Sequence, residues 1–106
     1  MDKGVIPLVE FFSERGLKTK MSCEGHYPDK PNQSLFWIAF DESVTGSDLI
    51  NFMKTHLSES GIFWSRGRFV DRIGFGWAPF HELCYIAANK EVANMDLEDF
   101  KKREKR

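Results

Sequence analysis

The residues with the widest chemical scope lie in one short string, Ser22-Cys23-Glu24-Gly25-His26. A thiolate and an imidazole at this spacing, with a glycine that lets the chain bend between them, can share a metal ion or form a Cys–His nucleophile pair. A second string, His81-Glu82-Leu83-Cys84, has the mirror spacing. Cys23 and His26 are therefore the candidate catalytic residues. The candidate zinc ligands are Cys23, His26, His81 and Cys84.

The expected geometry argues against all four residues binding one ion. If residues 80–88 form a strand, His81 and Cys84 face opposite sides of the sheet, because side chains alternate along a strand. A helix would place both on one face, but the composition around Tyr85 favours a strand. The short CxxC knuckles of many zinc modules are also absent. The sequence thus predicts no resident cofactor and leaves zinc open as the alternative.

A simpler structural interpretation of the first string competes with both chemistries. Unpaired cysteines are usually buried as small apolar residues. Cys23 would then be a core residue on the inward face of a strand, together with Leu17 and Met21. His26 would be a loop side chain that is hydrogen-bonded to nearby backbone.

The second candidate site is a strand rich in arginine, Phe63-Trp64-Ser65-Arg66-Gly67-Arg68-Phe69-Val70-Asp71-Arg72. Strand alternation places a tryptophan and three guanidinium groups on one face, which suits base stacking and phosphate pairing. Lys18 and Lys20 extend this patch if their strand is a neighbour, and His26 adds a donor. The alternative is an exposed face whose arginines pair with local carboxylates. The predicted ligand-binding residues are Trp64, Arg66, Arg68, Arg72, Lys18, Lys20 and His26.

Length and composition limit the class of protein. The chain has 106 residues, 42% of them hydrophobic and 14% aromatic, which suits one packed core and not a disordered chain. It contains no apolar run of membrane-spanning length. Fifteen basic residues against 16 acidic ones give a net charge of −1, so nucleic-acid binding requires a local basic patch. The N-terminus lacks a signal-peptide pattern, and two cysteines predict thiols in a cytoplasmic protein.

The hydrophobic pattern predicts the elements that position these residues. A first helix begins near Pro7 and ends at Gly16, and a second begins at a capping box of Thr45 and Asp48. The terminal helix starts near Glu91 and has its basic residues late, as the helix dipole favours. His56, late in the second helix, suits the negative end of that dipole. The predicted strands cover 17–23, 35–40, 62–70 and 80–88, with a loop at 24–34 and a turn at 74–79.

The resulting order, α-β-β-α-β-β-α, predicts an α+β domain with an antiparallel, roughly four-stranded sheet and helices packed on one face. Residues 1–97 form this single domain, and 98–106 form a charged C-terminal helix end or tail. Six phenylalanines are predicted to build the core, and Trp64, Trp77 and Tyr27 to lie in loops or on the basic face. The predicted core residues are Phe12, Phe36, Phe40, Phe52, Phe69 and Phe80.

The first 40 residues resemble a set of small uncharacterised bacterial and phage proteins. The resemblance lies in Gly16-Leu17-Lys18-Thr19, in Ser22-Cys23-Glu24-Gly25-His26 and in the apolar strand Phe36-Trp37-Ile38-Ala39-Phe40. It implies a phage or bacterial protein of the cytoplasm and brings no assigned activity.

The sequence favours a binding protein over an enzyme, because no oxyanion element, orienting acid or phosphate loop is recognisable. The leading hypothesis is a nucleotide or nucleic acid bound through the Arg/Trp strand face and the Cys-x-x-His loop. The first alternative is a phage anti-defence inhibitor or adaptor that binds a host protein. The second is a small metal-dependent or Cys-dependent enzyme. No membrane partner is predicted, and the oligomeric state stays open, a homodimer included.

Overall fold

The computed structural model describes residues 3–23, 35–56, 75–77 and 83–105. A 3-10 turn, Lys3–Val5, precedes the first helix. The helices are α1 (Ile6–Glu14), α2 (Gly46–His56) and α3 (Lys90–Glu104), and the strands are β1 (Thr19–Cys23), β2 (Phe36–Phe40), β3 (Phe75–Trp77) and β4 (Leu83–Ala87). The predicted α+β class and antiparallel pairing are confirmed.

Local signals in the sequence set both ends of α1. Pro7 lies in its first turn, where a proline loses no helical hydrogen bond. At the other end Gly16 has φ of +81°, a conformation that strains residues with a Cβ atom. The backbone N–H groups of Gly16 and Leu17 return to the carbonyls of Ser13 and Phe12, which is the Schellman arrangement. The predicted glycine stop is confirmed, and it turns the chain directly into β1.

The predicted capping box of α2 is also present. The Asp48 N–H donates to Thr45 Oγ1 at 3.2 Å, and the Thr45 N–H donates to Asp48 Oδ2 at 2.8 Å. These reciprocal bonds satisfy donors that the first helical turn leaves without a backbone partner. Asn89 caps α3 in a similar way, since its side-chain oxygen accepts from the Val92 N–H at 2.9 Å.

The strands lie in the order β1-β2-β4-β3, so β2 is interior as its wholly apolar sequence indicated. Phe36 pairs with Ala87, and Phe75 pairs with Tyr85. The third strand in chain order falls where the sequence predicted a turn at 74–79, and that prediction is wrong. Gly74 and Gly76 suggested a turn, but β4 supplies β3 with a pairing partner that local propensity does not reveal. The predicted strand over 62–70 lies outside the described residues.

A β-bulge at Lys20 changes which side chains of β1 face the helices. Thr19 pairs with Phe40, but Met21 pairs with the next residue, Ala39, which leaves Lys20 as the extra residue. Alternation from Leu17 predicted that Met21 faces inward. Leu17 is buried in the core, whereas Met21 is 55% exposed. The bulge shifts the residues after it by one position, so the predicted inward face is wrong beyond it.

The helix-facing side of the sheet and the three helices enclose one aromatic core. Phe12 of α1 contacts the rings of Phe40 and Tyr85, while Phe52 and Phe100 both contact Phe75. Four of the predicted core phenylalanines are buried, and Phe69 and Phe80 lie outside the described residues. Among the residues that the structure describes, the buried aromatic ones are Phe11, Phe12, Phe36, Phe40, Phe52, Phe75, Tyr85 and Phe100.

Candidate functional site

The two cysteines of the proposed zinc site lie on the same face of the sheet but far apart. Cys23 is opposite Trp37, and Trp37 is opposite Ile86, whereas Cys84 lies two residues away along β4. Residues directly opposite each other share a face, so both thiols lie on the side away from the helices. Two strand spacings and two residue spacings place their Cα atoms about 12 Å apart.

Because of this separation, the four predicted ligands cannot all bind one zinc ion. Two thiolates on one zinc ion lie about 4 Å apart, and a disulfide needs Cα atoms within about 7 Å. Cys23 and Cys84 therefore cannot share a metal ion or a bridge in this arrangement. Within 3–23, 35–56, 75–77 and 83–105, no cluster of three metal-ligating side chains occurs. His26 and His81, the other two candidates, lie outside these residues.

The environment of Cys23 differs from the predicted one. The side chain is half-buried beside Trp37 and is not part of the helix-facing core. Cys84 is 2% exposed although it too faces away from the helices. The interpretation of Cys23 as a core residue next to Leu17 is wrong, because the bulge lies between them. Its nucleophile partner in the sequence hypothesis, His26, lies outside the described residues.

Lys20 lies on β1, an edge strand that pairs only with β2 among the described strands, and Lys18 lies directly before β1. Both lysines are exposed, and Lys20 is the extra residue of the bulge. Asp41 lies near Lys18: its N–H donates to the Lys18 carbonyl at 2.8 Å. The other predicted ligand-binding residues, Trp64, Arg66, Arg68, Arg72 and His26, fall outside the described part of the chain.

The most developed polar cluster joins the ends of the three helices. The guanidinium of Arg15 donates through Nε and Nη2 to the two carboxylate oxygens of Glu104. Its Nη1 donates to the Phe11 carbonyl at 2.8 Å, and its central carbon lies 3.5 Å from the centre of the Phe11 ring. Arg15 is thus fixed by a bidentate ion pair on one side and by helix α1 on the other.

His56 completes this cluster. Among the residues that the structure describes, it is the one buried side chain that is polar or charged. Nδ1 donates to the Phe52 carbonyl at 2.8 Å, and Nε2 lies 2.6 Å from Glu104 Oε2. Its ring stacks on Phe52 at 4.0 Å and meets Phe11 and Phe100 edge-on. Both partners are hydrogen-bond acceptors, and each nitrogen of the ring faces one of them.

Electrostatics in the cluster favour the ionised carboxylate. The hydrogen bond from Arg15, assisted by that from His56, lowers the pKa of Glu104 from its usual 4.5 to about 2. The same hydrogen bond raises the pKa of Arg15. Glu104 therefore keeps its negative charge throughout the neutral range and links α3 to α1 and α2.

A cleft of about 370 Å³ opens beside this cluster, between α2 and the turn from α1 into β1. Arg15 and His56 form part of its wall, and Asp48 and Asn51 add polar groups. Phe52 and Leu17 supply apolar surface. This volume lies in the range of sites for small molecules.

The sequence indicates a favourable place for His56 at the end of α2 but does not indicate its partners. Glu104 falls in the segment predicted as a charged helix end or tail, and Arg15 has no predicted role, because their contact spans 89 positions and no local pattern reports it. One signal was available: Phe100 and Leu97 continue the apolar face of α3 into the charged segment, and both are buried. Within the described parts of the chain, no helix combines the length and apolar character needed to cross a membrane.

Comparison of the chain with known protein families, curated proteins and solved structures gives no match.

Proposed function

We propose that this chain is a small binding protein for a nucleotide or nucleic acid, with Lys18 and Lys20 at one margin of the ligand surface. The observation that carries the proposal is the exposure of Lys20 on the edge strand β1 and of Lys18 directly before that strand. The proposal retains the predicted arginine strand over 62–70, with Trp64 as the stacking residue and Arg66, Arg68 and Arg72 as phosphate partners. It also retains His26 as a donor from the adjoining loop.

The bulge at Lys20 supports this role for the edge. Lysines and bulges keep an edge strand from pairing with another strand, so the edge is suited to side-chain recognition and not to strand addition. The Lys18 ammonium group does not act alone, because Asp41 lies nearby and the pKa of Asp41 is lowered, chiefly by hydrogen bonds from Ser43.

The hydrogen bonds of the His56 ring support a binding function over acid–base catalysis by this residue. Both ring nitrogens are engaged, one by the Phe52 carbonyl and one by Glu104. A general base needs a nitrogen that can take a proton from the substrate. His56 in this arrangement holds the helices in position. The enzyme hypothesis then depends on Cys23 and the string around it, residues 22–26.

Fluorescence anisotropy with labelled single-stranded RNA and DNA, and competition by mononucleotides, tests the proposal. The double variant Lys18→Ala/Lys20→Ala should weaken binding by about tenfold and flatten its salt dependence, because two phosphate contacts are lost. Arg66→Ala/Arg68→Ala should weaken it further. The control variant is Lys90→Ala, at the N-terminal end of α3. It removes one exposed positive charge and should leave the affinity within about twofold of wild type. Equal affinities for all variants, or no binding to any probe, would contradict the proposal.

A second candidate function is an inhibitor or adaptor that binds a host protein, and the outer face of the sheet favours it. Six outward residues that the register pairs are uncharged; Met21 among them is 55% exposed, whereas Ala39 and Cys84 are buried. Met21 and the half-buried Cys23, Trp37 and Ile86 form the apolar part of this face that a protein partner can cover. The six residues are Met21, Cys23, Trp37, Ala39, Cys84 and Ile86.

Crosslinking in host lysate at high salt separates the two functions. A protein partner held by apolar contacts should remain in 0.5 M salt (an ionic strength at which phosphate contacts weaken strongly, about tenfold or more). Met21→Lys should abolish that capture, while Lys90→Ala should not affect it. Capture that is equal for wild type and Met21→Lys would exclude the outer face as the interface. The bacterial or phage setting of such a partner follows from the sequence resemblance alone.

A further inference from the structure

Glu104 occupies a set of donors arranged as proteins arrange them for carboxylate and phosphate ligands. The fork of Arg15 meets both carboxylate oxygens, and His56 donates to one of them at 2.6 Å. A planar bidentate pair with an added imidazole donor gives both direction and charge to oxyanion recognition. Glu104 therefore fills this place as a ligand would, although it belongs to the same chain.

Both donors keep their orientation through contacts that do not involve Glu104. The Phe11 carbonyl and ring hold the guanidinium of Arg15. The Phe52 carbonyl and ring hold the imidazole of His56. Donors that are fixed before binding lose little conformational entropy when an anion arrives. The pair would thus stay in place if the carboxylate of Glu104 left.

The donors are accessible from one side. Arg15 and His56 both border the cleft of about 370 Å³. The Arg15 and Glu104 side chains keep 27% and 28% of their exposure, so the ion pair lies at the margin of the core. Glu104 is also the final residue of α3, followed within the described chain only by Lys105. Displacing its side chain requires the last helical turn to move and leaves the aromatic core in place.

We propose that Arg15 and His56 form an oxyanion-binding site, that Glu104 is its intramolecular occupant, and that a carboxylate or phosphate ligand competes with it. Binding then releases the last turn of α3. The carboxylate of Asp48, on the wall of the cleft, disfavours a second negative charge there. The ligand is therefore a small oxyanion whose remaining part is neutral or cationic. This site is separate from the surface at Lys18 and Lys20.

Chemical rescue tests the proposal. In Glu104→Ala the site is empty, so sodium formate or phosphate should raise the melting temperature by about 4 °C or more beyond sodium chloride of equal ionic strength. Wild type should show a much smaller excess, since the anion must first displace the carboxylate of Glu104. Rescue by formate alone identifies a carboxylate site, and rescue by phosphate identifies a phosphate site; either result supports the proposal.

Glu98→Ala provides the matched variant, because it removes the same charge from an exposed position of the same helix. It should respond as wild type does. Adding Arg15→Ala to Glu104→Ala should abolish the rescue. If Glu104→Ala does not fold in buffer, recovery of its folded circular dichroism signal on addition of formate or phosphate, and not of chloride, makes the same comparison. Equal responses of Glu104→Ala and Glu98→Ala to formate and to phosphate would overturn the proposal.

Discussion

The outer face of the sheet and the corner where the helices meet both carry reactive side chains. The fold separates those of the outer face and brings those of the corner into contact. On the outer face, Cys23 and Cys84 belong to strings with mirror spacing, and the register places them two strands and two residues apart. At the corner, Arg15 and Glu104 are 89 positions apart in sequence and form a bidentate ion pair. Long-range helix docking, and not local spacing, assembles the polar cluster of this protein.

The largest difference between the two regions should be in packing. Phe100 is fully buried at the helix corner and stacks on Phe11 at 5.9 Å, while Met21 on the outer face is 55% exposed. Phe100→Ala should lower the free energy of unfolding by about 3–5 kcal/mol, because it leaves a cavity among aromatic rings. Met21→Ala should lower it by less than about 1 kcal/mol. Urea unfolding followed by circular dichroism measures both, and similar losses would contradict the comparison.

Polar interactions should show the same ranking at a smaller scale. Glu104→Ala removes the shared acceptor of Arg15 and His56, and should cost about 1–3 kcal/mol. Cys23→Ser changes a half-buried side chain on the outer face and should cost at most about 1 kcal/mol. The same urea experiment provides the values. A Glu104→Ala variant as stable as wild type would show that the cluster adds nothing to α3 docking.

Acid titration should isolate the contribution of Glu104. Because the folded state lowers the pKa of this carboxyl from 4.5 to about 2, its stabilising effect is complete above pH 4.5 and is lost as the pH falls through about 2. The stability difference between wild type and Glu104→Ala should therefore close over this interval. Asp41, whose pKa is also lowered, is present in both proteins, so its effect cancels. A difference that stays constant from pH 5 to pH 2 would contradict the assignment.

The smallest expected effect concerns the cysteines. With Cα atoms about 12 Å apart, they cannot form a bridge without rearrangement of the sheet. After mild oxidation of the native protein and subsequent alkylation, the intact mass should be higher by two alkyl groups, one on each cysteine. An intramolecular disulfide in the folded chain would instead show that the register of β1 or β4 differs from the one described.

The fold was predictable where local chemistry decides it. Gly16 and the Thr45/Asp48 capping box mark helix ends through their own hydrogen bonds, so the sequence alone located them. The bulge at Lys20 was not predictable, because it depends on how β1 fits against Ala39 and Phe40. The strand around Phe75 was missed for a similar reason, since its partner lies on β4.

The candidate sites divide along the same line. Residue type and strand period singled out Lys18 and Lys20, and the structure leaves both exposed. The partners of His56 required knowledge of how α3 packs, which a charged C-terminal segment conceals. The continuation of its apolar stripe to Phe100 was the one indication that this segment joins the core.

A crystal structure of Glu104→Ala grown with phosphate or formate tests most directly that Arg15 and His56 form an oxyanion site. We expect the anion within hydrogen-bond distance of Arg15 Nε, Arg15 Nη2 and His56 Nε2, with both side chains oriented as in wild type. An anion-free site with Arg15 turned away from His56 would show that Glu104 creates the arrangement and does not merely occupy it.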